Sequence, residues 1–272
     1  MITRITTYFF QFADHRALRF MPRIVFGLLL VLWVTTLPYC NLLWGPTNVL
    51  FRFGIADGLL ENAVLRLYYQ PELFLWIYCS HPVLLILSMR NTRLVFIWRI
   101  LAWITGLMLY AAAPNAFGWG VILILQTAFF LSPVHYESTS TFRLWLNSLA
   151  LFFLRIQTIV ILSTAALFAW GSSQWPDGDT VYYMIHQSFQ FRFALQETFA
   201  ESKAILTGIT YLLLGIMSVL PVSLILRYTR FPSTLTLLIT GAICIVFLTN
   251  MSIGFALATL ALPWIDARES YD

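Results

Sequence analysis

The chain of 272 residues is 60% apolar and 10% charged, with a formal net charge of +4 and a mean hydropathy of +0.79. That balance excludes an ordinary soluble domain and describes an all-α, polytopic helical bundle in a membrane. The basic excess is arginine, with Lys203 the single lysine, and no basic patch with interleaved aromatics lies outside the apolar runs. It is therefore assigned to membrane topology, and no nucleic-acid partner is expected.

Residues 1–20 read as an amphipathic helix lying in the interface, anchored by Tyr8, Phe9, Phe10 and Phe12 and basic at its end. Asp14, His15, Arg16 and Arg19 interrupt this stretch before any long apolar core, so a cleavable signal peptide is not expected. Apolar runs of spanning length follow at 21–40, 71–89, 94–113, 117–132, 144–170, 204–226 and 233–264. Each is near the roughly 20 residues needed to cross a core of about 30 Å. Together they leave no room for a soluble module, so residues 21–272 are expected to form one transmembrane domain. The last run is long and holds Asn250 and Gly254 at its middle. A tilted helix, a kinked helix or two short re-entrant pieces all fit it.

Arg16, Arg19 and Arg23 precede the first run, Arg90 and Arg93 join the second to the third, Arg143 precedes the fifth, and Arg227 and Arg230 join the sixth to the seventh. The opposite segments carry Asp57, Glu61, Glu72, Asp177, Asp179, Glu197, Glu201, Asp266, Glu269 and Asp272. Arginine bias sets orientation, so the seven-run reading places the N-terminus inside and the C-terminus outside. Two outer segments have structure of their own. Residues 54–69 space Ile55, Leu59, Leu60, Val64 and Leu67 as one face of a surface helix. The larger segment, 171–203, contains the turn signal Pro176-Asp177-Gly178 and an aromatic stretch from Val181 to Phe189.

Polar residues inside apolar runs are the natural site candidates, because an ionised side chain at the bilayer centre is costly, by roughly 3 kcal/mol on insertion scales. Arg155 and Gln157 lie in the fifth run, two positions apart, so at least one of them faces the bundle. Either they form a site for an anion or a lipid head group, or Arg155 is satisfied by carbonyls or by Asn147, Gln126 or Asn250. In the outer segment, Trp175, Asp177, Tyr182, Tyr183 and His186 either line the mouth of a cavity or make up a turn and an interfacial aromatic belt. Arg99 sits near the cytoplasmic end of the third run and is expected to snorkel to the interface. His81 reads as a hydrogen-bonded packing residue. Cys40, Cys79 and Cys244 lack metal-type spacing, and His135 and His186 fall on opposite sides, so neither metal nor cofactor is expected. No Ser-His-Asp order, Gly-rich phosphate loop or HExxH pattern occurs.

The stretch LFFLRIQTIVILSTAALFAWGSSQWPDGDTVYY, from Leu151 to Tyr183, resembles a helix and loop of the horizontally transferred transmembrane family, the bacterial relatives of vitamin K-dependent gamma-carboxylase. The resemblance is carried by Arg155, Gln157, Trp175, Asp177, Gly178, Tyr182 and Tyr183. Arg16-Ala17-Leu18 leading into Arg23-Ile24-Val25-Phe26-Gly27 is similar to the start of the same domain. It extends over about residues 13–200. The carboxylases place a lysine shortly before the tryptophan of this motif, and a neutral amine there is the base that starts their chemistry. Ala169 and Trp170 occupy the matching positions, and three alanines precede Pro114-Asn115 where the family tends to have polar residues. The resemblance thus implies a helical-bundle fold in a bacterial inner membrane, without carboxylation. The expected function is a noncatalytic accessory subunit, or a lipid- or peptide-binding component, with membrane lipids and other membrane subunits as partners. The alternatives are an enzyme on a lipidic or peptide substrate, and a small transporter, although no related halves are visible.

Overall fold

The computed structural model describes residues 16–39, 71–90, 92–111, 114–135, 140–182, 202–226, 229–246 and 251–265. Every regular element among these is helical: α1 Arg16–Thr36, α2 Pro71–Met89, α3 Val95–Ala111, α4 Pro114–Leu131, α5 Thr141–Gly171, α6 Lys203–Ile225, α7 Arg230–Val246 and α8 Met251–Ala261. Short 3-10 turns at Leu37–Tyr39 and Leu262–Trp264 follow α1 and α8. The surface helix expected at 54–69, most of the outer segment and His186 lie outside the described residues.

Among the described residues three helical stretches are long and apolar enough to cross a membrane: Leu18–Tyr39, Thr141–Gly171 and Lys203–Ile225. The remaining apolar helices are shorter. Of the expected runs, 94–113 is shortened to α3, which keeps 17 residues, about 25 Å, whereas α4 begins earlier than its run, at Pro114, and holds 18 residues. Another boundary also moves earlier. Residues 16–20, expected in a separate interfacial helix, belong to α1, where Leu18 and Met21 are as buried as Val25, Phe26 and Leu29. The i, i+3, i+4 spacing of these positions gives α1 one continuous inner face, so no break falls at residue 20.

The helices gather into two compact units, 15–150 and 151–272, divided inside α5 rather than at a linker. In the first, the buried positions Tyr78, His81, Leu85 and Ser88 of α2, and Val95, Arg99, Ala102, Leu109 and Tyr110 of α3, follow helical spacing. Small buried hydroxyls return to their own helix, as Ser88 of α2 does to the Leu84 carbonyl at 2.6 Å and Thr127 of α4 to the Leu123 carbonyl at 2.9 Å. An apolar surrounding offers them no water, so back-bonding satisfies them at little cost.

In the second unit, Leu162 of α5, Leu220 and Leu224 of α6, Leu237 of α7, Ala261 of α8 and Trp264 form one buried cluster. Residues 233–264, read from sequence as one crossing with a re-entrant pair kept open, are two helices folded back on each other. Gly241 faces Gly254 and Leu257, while Gly254 faces Ile245. Rising numbers on α7 meet falling numbers on α8, so the pair is antiparallel, and Trp264 lies near Leu237 in the first half of α7.

Candidate functional site

Arg155 and Gln157 are both buried on α5. The Arg155 Nε donates to the Pro263 carbonyl at 3.1 Å, and its guanidinium lies 5.5 Å from the centroid of the Trp264 ring. One turn further on, the Thr158 hydroxyl approaches the Leu154 carbonyl at 2.9 Å and the Leu260 carbonyl at 3.1 Å. The origin of this cluster is local. Carbonyls in the last turn of a helix have no helical donor, and Pro263 supplies no N–H, so the end of α8 presents bare oxygens. A cation at a helix C-terminus also meets the negative end of its dipole. Arg155 and Thr158 thus act as a side-chain cap in trans on α8.

The outer residues lie elsewhere. About 24 Å of continuous helix separates Arg155 from Gly171, so Arg155 and Gln157 do not share a site with Trp175, Asp177 and Tyr182. After Gly171 the backbone winds into a tight turn, with Asp177 N–H bonded to the Ser173 carbonyl and Gly178 N–H to that of Trp175, both at 3.1 Å. Gly178 has φ of 80°, and a Cβ there would stand 2.6 Å from Thr207 Cγ2, so only glycine fits. The turn is latched to α6. The Tyr211 hydroxyl donates to the Pro176 carbonyl at 2.9 Å, Val181 N–H donates to Thr210 Oγ1 at 3.2 Å, and Lys203 pairs with Asp179 at 3.3 Å. Asp177 is exposed, and Trp175 and Tyr182 are half-buried. Trp175 and Asp177 lie in a turn latched onto α6, while Tyr183 and His186 lie outside the described residues.

Two residues in the other unit depart from expectation. Arg99 is not snorkelling: it is 1% exposed. Its Nε donates to the Ser88 carbonyl at 3.2 Å, and its Nη1 donates to the carbonyls of Leu131, at 3.1 Å, and Val134. The Ser88 and Leu131 oxygens sit at the C-terminal ends of α2 and α4 and that of Val134 just beyond α4, where Leu131 also accepts from the Val134 N–H at 3.2 Å; helix-end carbonyls draw the guanidinium inward. His81 is fully buried. The Thr105 hydroxyl lies 2.8 Å from His81 Nδ1 and 2.9 and 3.1 Å from the Leu101 and Ala102 carbonyls, so its one hydrogen serves either the ring or its own helix. Nε2 has no hydrogen-bond partner among the described residues, and the imidazole sits beside Gly106, with Cε1 3.2 Å from where a Cβ would be. The histidine is bonded on one side, as expected, and bare on the other.

Asn147, considered as a partner for Arg155, instead brackets His135, accepting from its N–H at 3.1 Å and donating to its carbonyl at 3.2 Å. Among the described residues no group of three or more His, Cys, Asp or Glu side chains is placed to hold a metal. Comparison with protein-family models, with curated proteins and with solved structures gives no match to this chain.

Proposed function

We propose that this chain is a noncatalytic, membrane-embedded component of a larger membrane assembly, similar in architecture to the horizontally transferred transmembrane family and residing in a bacterial inner membrane. One observation carries the reading. Both deep arginines, the side chains best suited to bind or activate a substrate there, are engaged by the carbonyls of helix ends. Buried ions in this arrangement act as structural glue between helices. Native mass spectrometry of the protein extracted with its lipids tests it. A fixed stoichiometric partner is the expected result, whereas a bound lipid or quinone in a cavity beside Arg155, with no partner, favours the enzyme.

The same reading predicts no carboxylase chemistry. Ala169 and Trp170 supply no amine, and the Lys203 side chain is 71% exposed and paired with Asp179 at the start of α6. Purified protein given reduced vitamin K, oxygen and carbon dioxide is expected to form no epoxide and to carboxylate no glutamate peptide. Epoxide formation that disappears in Lys203→Ala would restore the enzyme.

Orientation follows from the arginine alternation together with the α7–α8 hairpin. Reporters fused after Arg93, Arg143 and Arg230 are expected to read cytoplasmic. The hairpin returns the chain toward the side on which α7 begins, so a reporter after Asp272 is also expected to read cytoplasmic. This reverses the external C-terminus that a single seventh crossing implies. An external signal at Asp272 would reinstate that crossing.

A further inference from the structure

Gln126 is the polar residue of an otherwise apolar face on α4. It is exposed together with Ile122, one turn before it, and Phe129, one turn after, and among the described residues no hydrogen bond joins its amide to another group. About 8 Å of helix separates it from Leu131 and about 18 Å from Pro114. A glutamine side chain is shorter than the arginine or lysine stems that reach head groups from such depths. With α4 in the bilayer, both the carbonyl and the NH2 of this amide face hydrocarbon, where unpaired polar groups are costly.

We infer that the Gln126 face of α4 is a homodimer contact, in which the Gln126 amides of two copies pair reciprocally across a two-fold axis. A primary amide is self-complementary, since the NH2 of each copy can donate to the carbonyl of the other, giving two reciprocal bonds. Two copies inserted with the same orientation are related by an axis along the membrane normal, which sets residue 126 of one at the depth of residue 126 of the other. No other partner is guaranteed a matching group at that depth. Phe129, held against Trp103 with ring centroids 4.8 Å apart, gives the contact an ordered apolar flank. Interhelical glutamine bonds of this type are known to join helices in lipid.

The inference rests on reading α4 as a membrane helix, and the experiment separates the two. Dye-labelled protein in liposomes, counted by photobleaching steps over a dilution series in lipid, should show a monomer–dimer equilibrium. Gln126→Leu should weaken it by roughly 3- to 30-fold, and Gln126→Asn should retain most of it. With Cys40, Cys79 and Cys244 replaced by serine, Ile122→Cys should cross-link between copies on oxidation. A monomer at all dilutions, or an equilibrium unmoved by Gln126→Leu, overturns the inference. Rapid labelling of the Ile122→Cys thiol by a membrane-impermeant maleimide instead overturns the placement of α4 in the bilayer, and the dimer contact with it.

Discussion

Arg99→Leu is expected to destabilise the protein by on the order of 4 kcal/mol and to lower the yield of monodisperse protein, more severely than Arg155→Leu. The guanidinium ties α3 to the Ser88 and Leu131 carbonyls at the ends of α2 and α4 and to the Val134 carbonyl just beyond α4. A hydrogen bond to a charged group contributes about 1.5 to 3 kcal/mol, and each buried acceptor left unsatisfied costs about 1 to 3 kcal/mol, although the Leu131 carbonyl keeps the Val134 N–H at 3.2 Å. Relief from desolvating the cation offsets part of that loss, which is why the net figure falls below the sum. Among the described residues Arg155 bonds the Pro263 carbonyl and contacts the Trp264 ring, the latter contributing about 0.5 to 2 kcal/mol. Its removal is expected to loosen the end of α8 and leave the first unit intact. Arg99→Lys should fall between, because one ammonium cannot reproduce the planar fork that reaches separate carbonyls. Thermal unfolding of the three variants in lipid nanodiscs measures the order. Equal or milder loss in Arg99→Leu would mean that the carbonyls find water once the arginine is gone.

The expected ranking of these two arginines runs opposite to the one composition implies, and the reason is instructive. Sequence places Arg99 close to a run's end, where snorkelling satisfies a long cation without any partner. The structure shows acceptors arriving from elsewhere: Leu131 and Val134 are more than 30 positions away, and no local pattern announces them. Arg155 was legible as a buried residue because its depth in a long apolar run leaves it nowhere else to go. Its partners were not, since they depend on where Pro263 stops α8. The turn after α5 was legible as a turn, as Pro176-Asp177-Gly178 signals one locally, whereas its latch onto Tyr211 and Thr210 is tertiary. The helical class follows directly from the apolar runs. Their division into two packed units does not, because the boundary lies within α5 and leaves no mark in composition.

Asn250 and Gly254 marked the last run as breakable, and the packing of α7 on α8 shows why a glycine stands there. A Cβ on Gly254 would approach the Gly241 carbonyl oxygen to 2.7 Å, and one on Gly241 would approach the Gly254 carbonyl oxygen to 2.9 Å. Backbone cannot swing aside as a side-chain tip can, so Gly254→Val is expected to push the two helices apart and cost on the order of 3 kcal/mol. The displacement should travel along α8, since Leu260 and Pro263 at its far end are the groups held by Thr158 and Arg155. A hairpin already displaced has little left for Arg155 to hold. Gly254→Val and Arg155→Leu should therefore be strongly non-additive, the double variant being hardly less stable than Gly254→Val alone. Unfolding measured over the full double-mutant cycle reads this coupling directly. Simple additivity would show that the glycine crossing and the arginine cap act independently, and that the hairpin does not move as one piece.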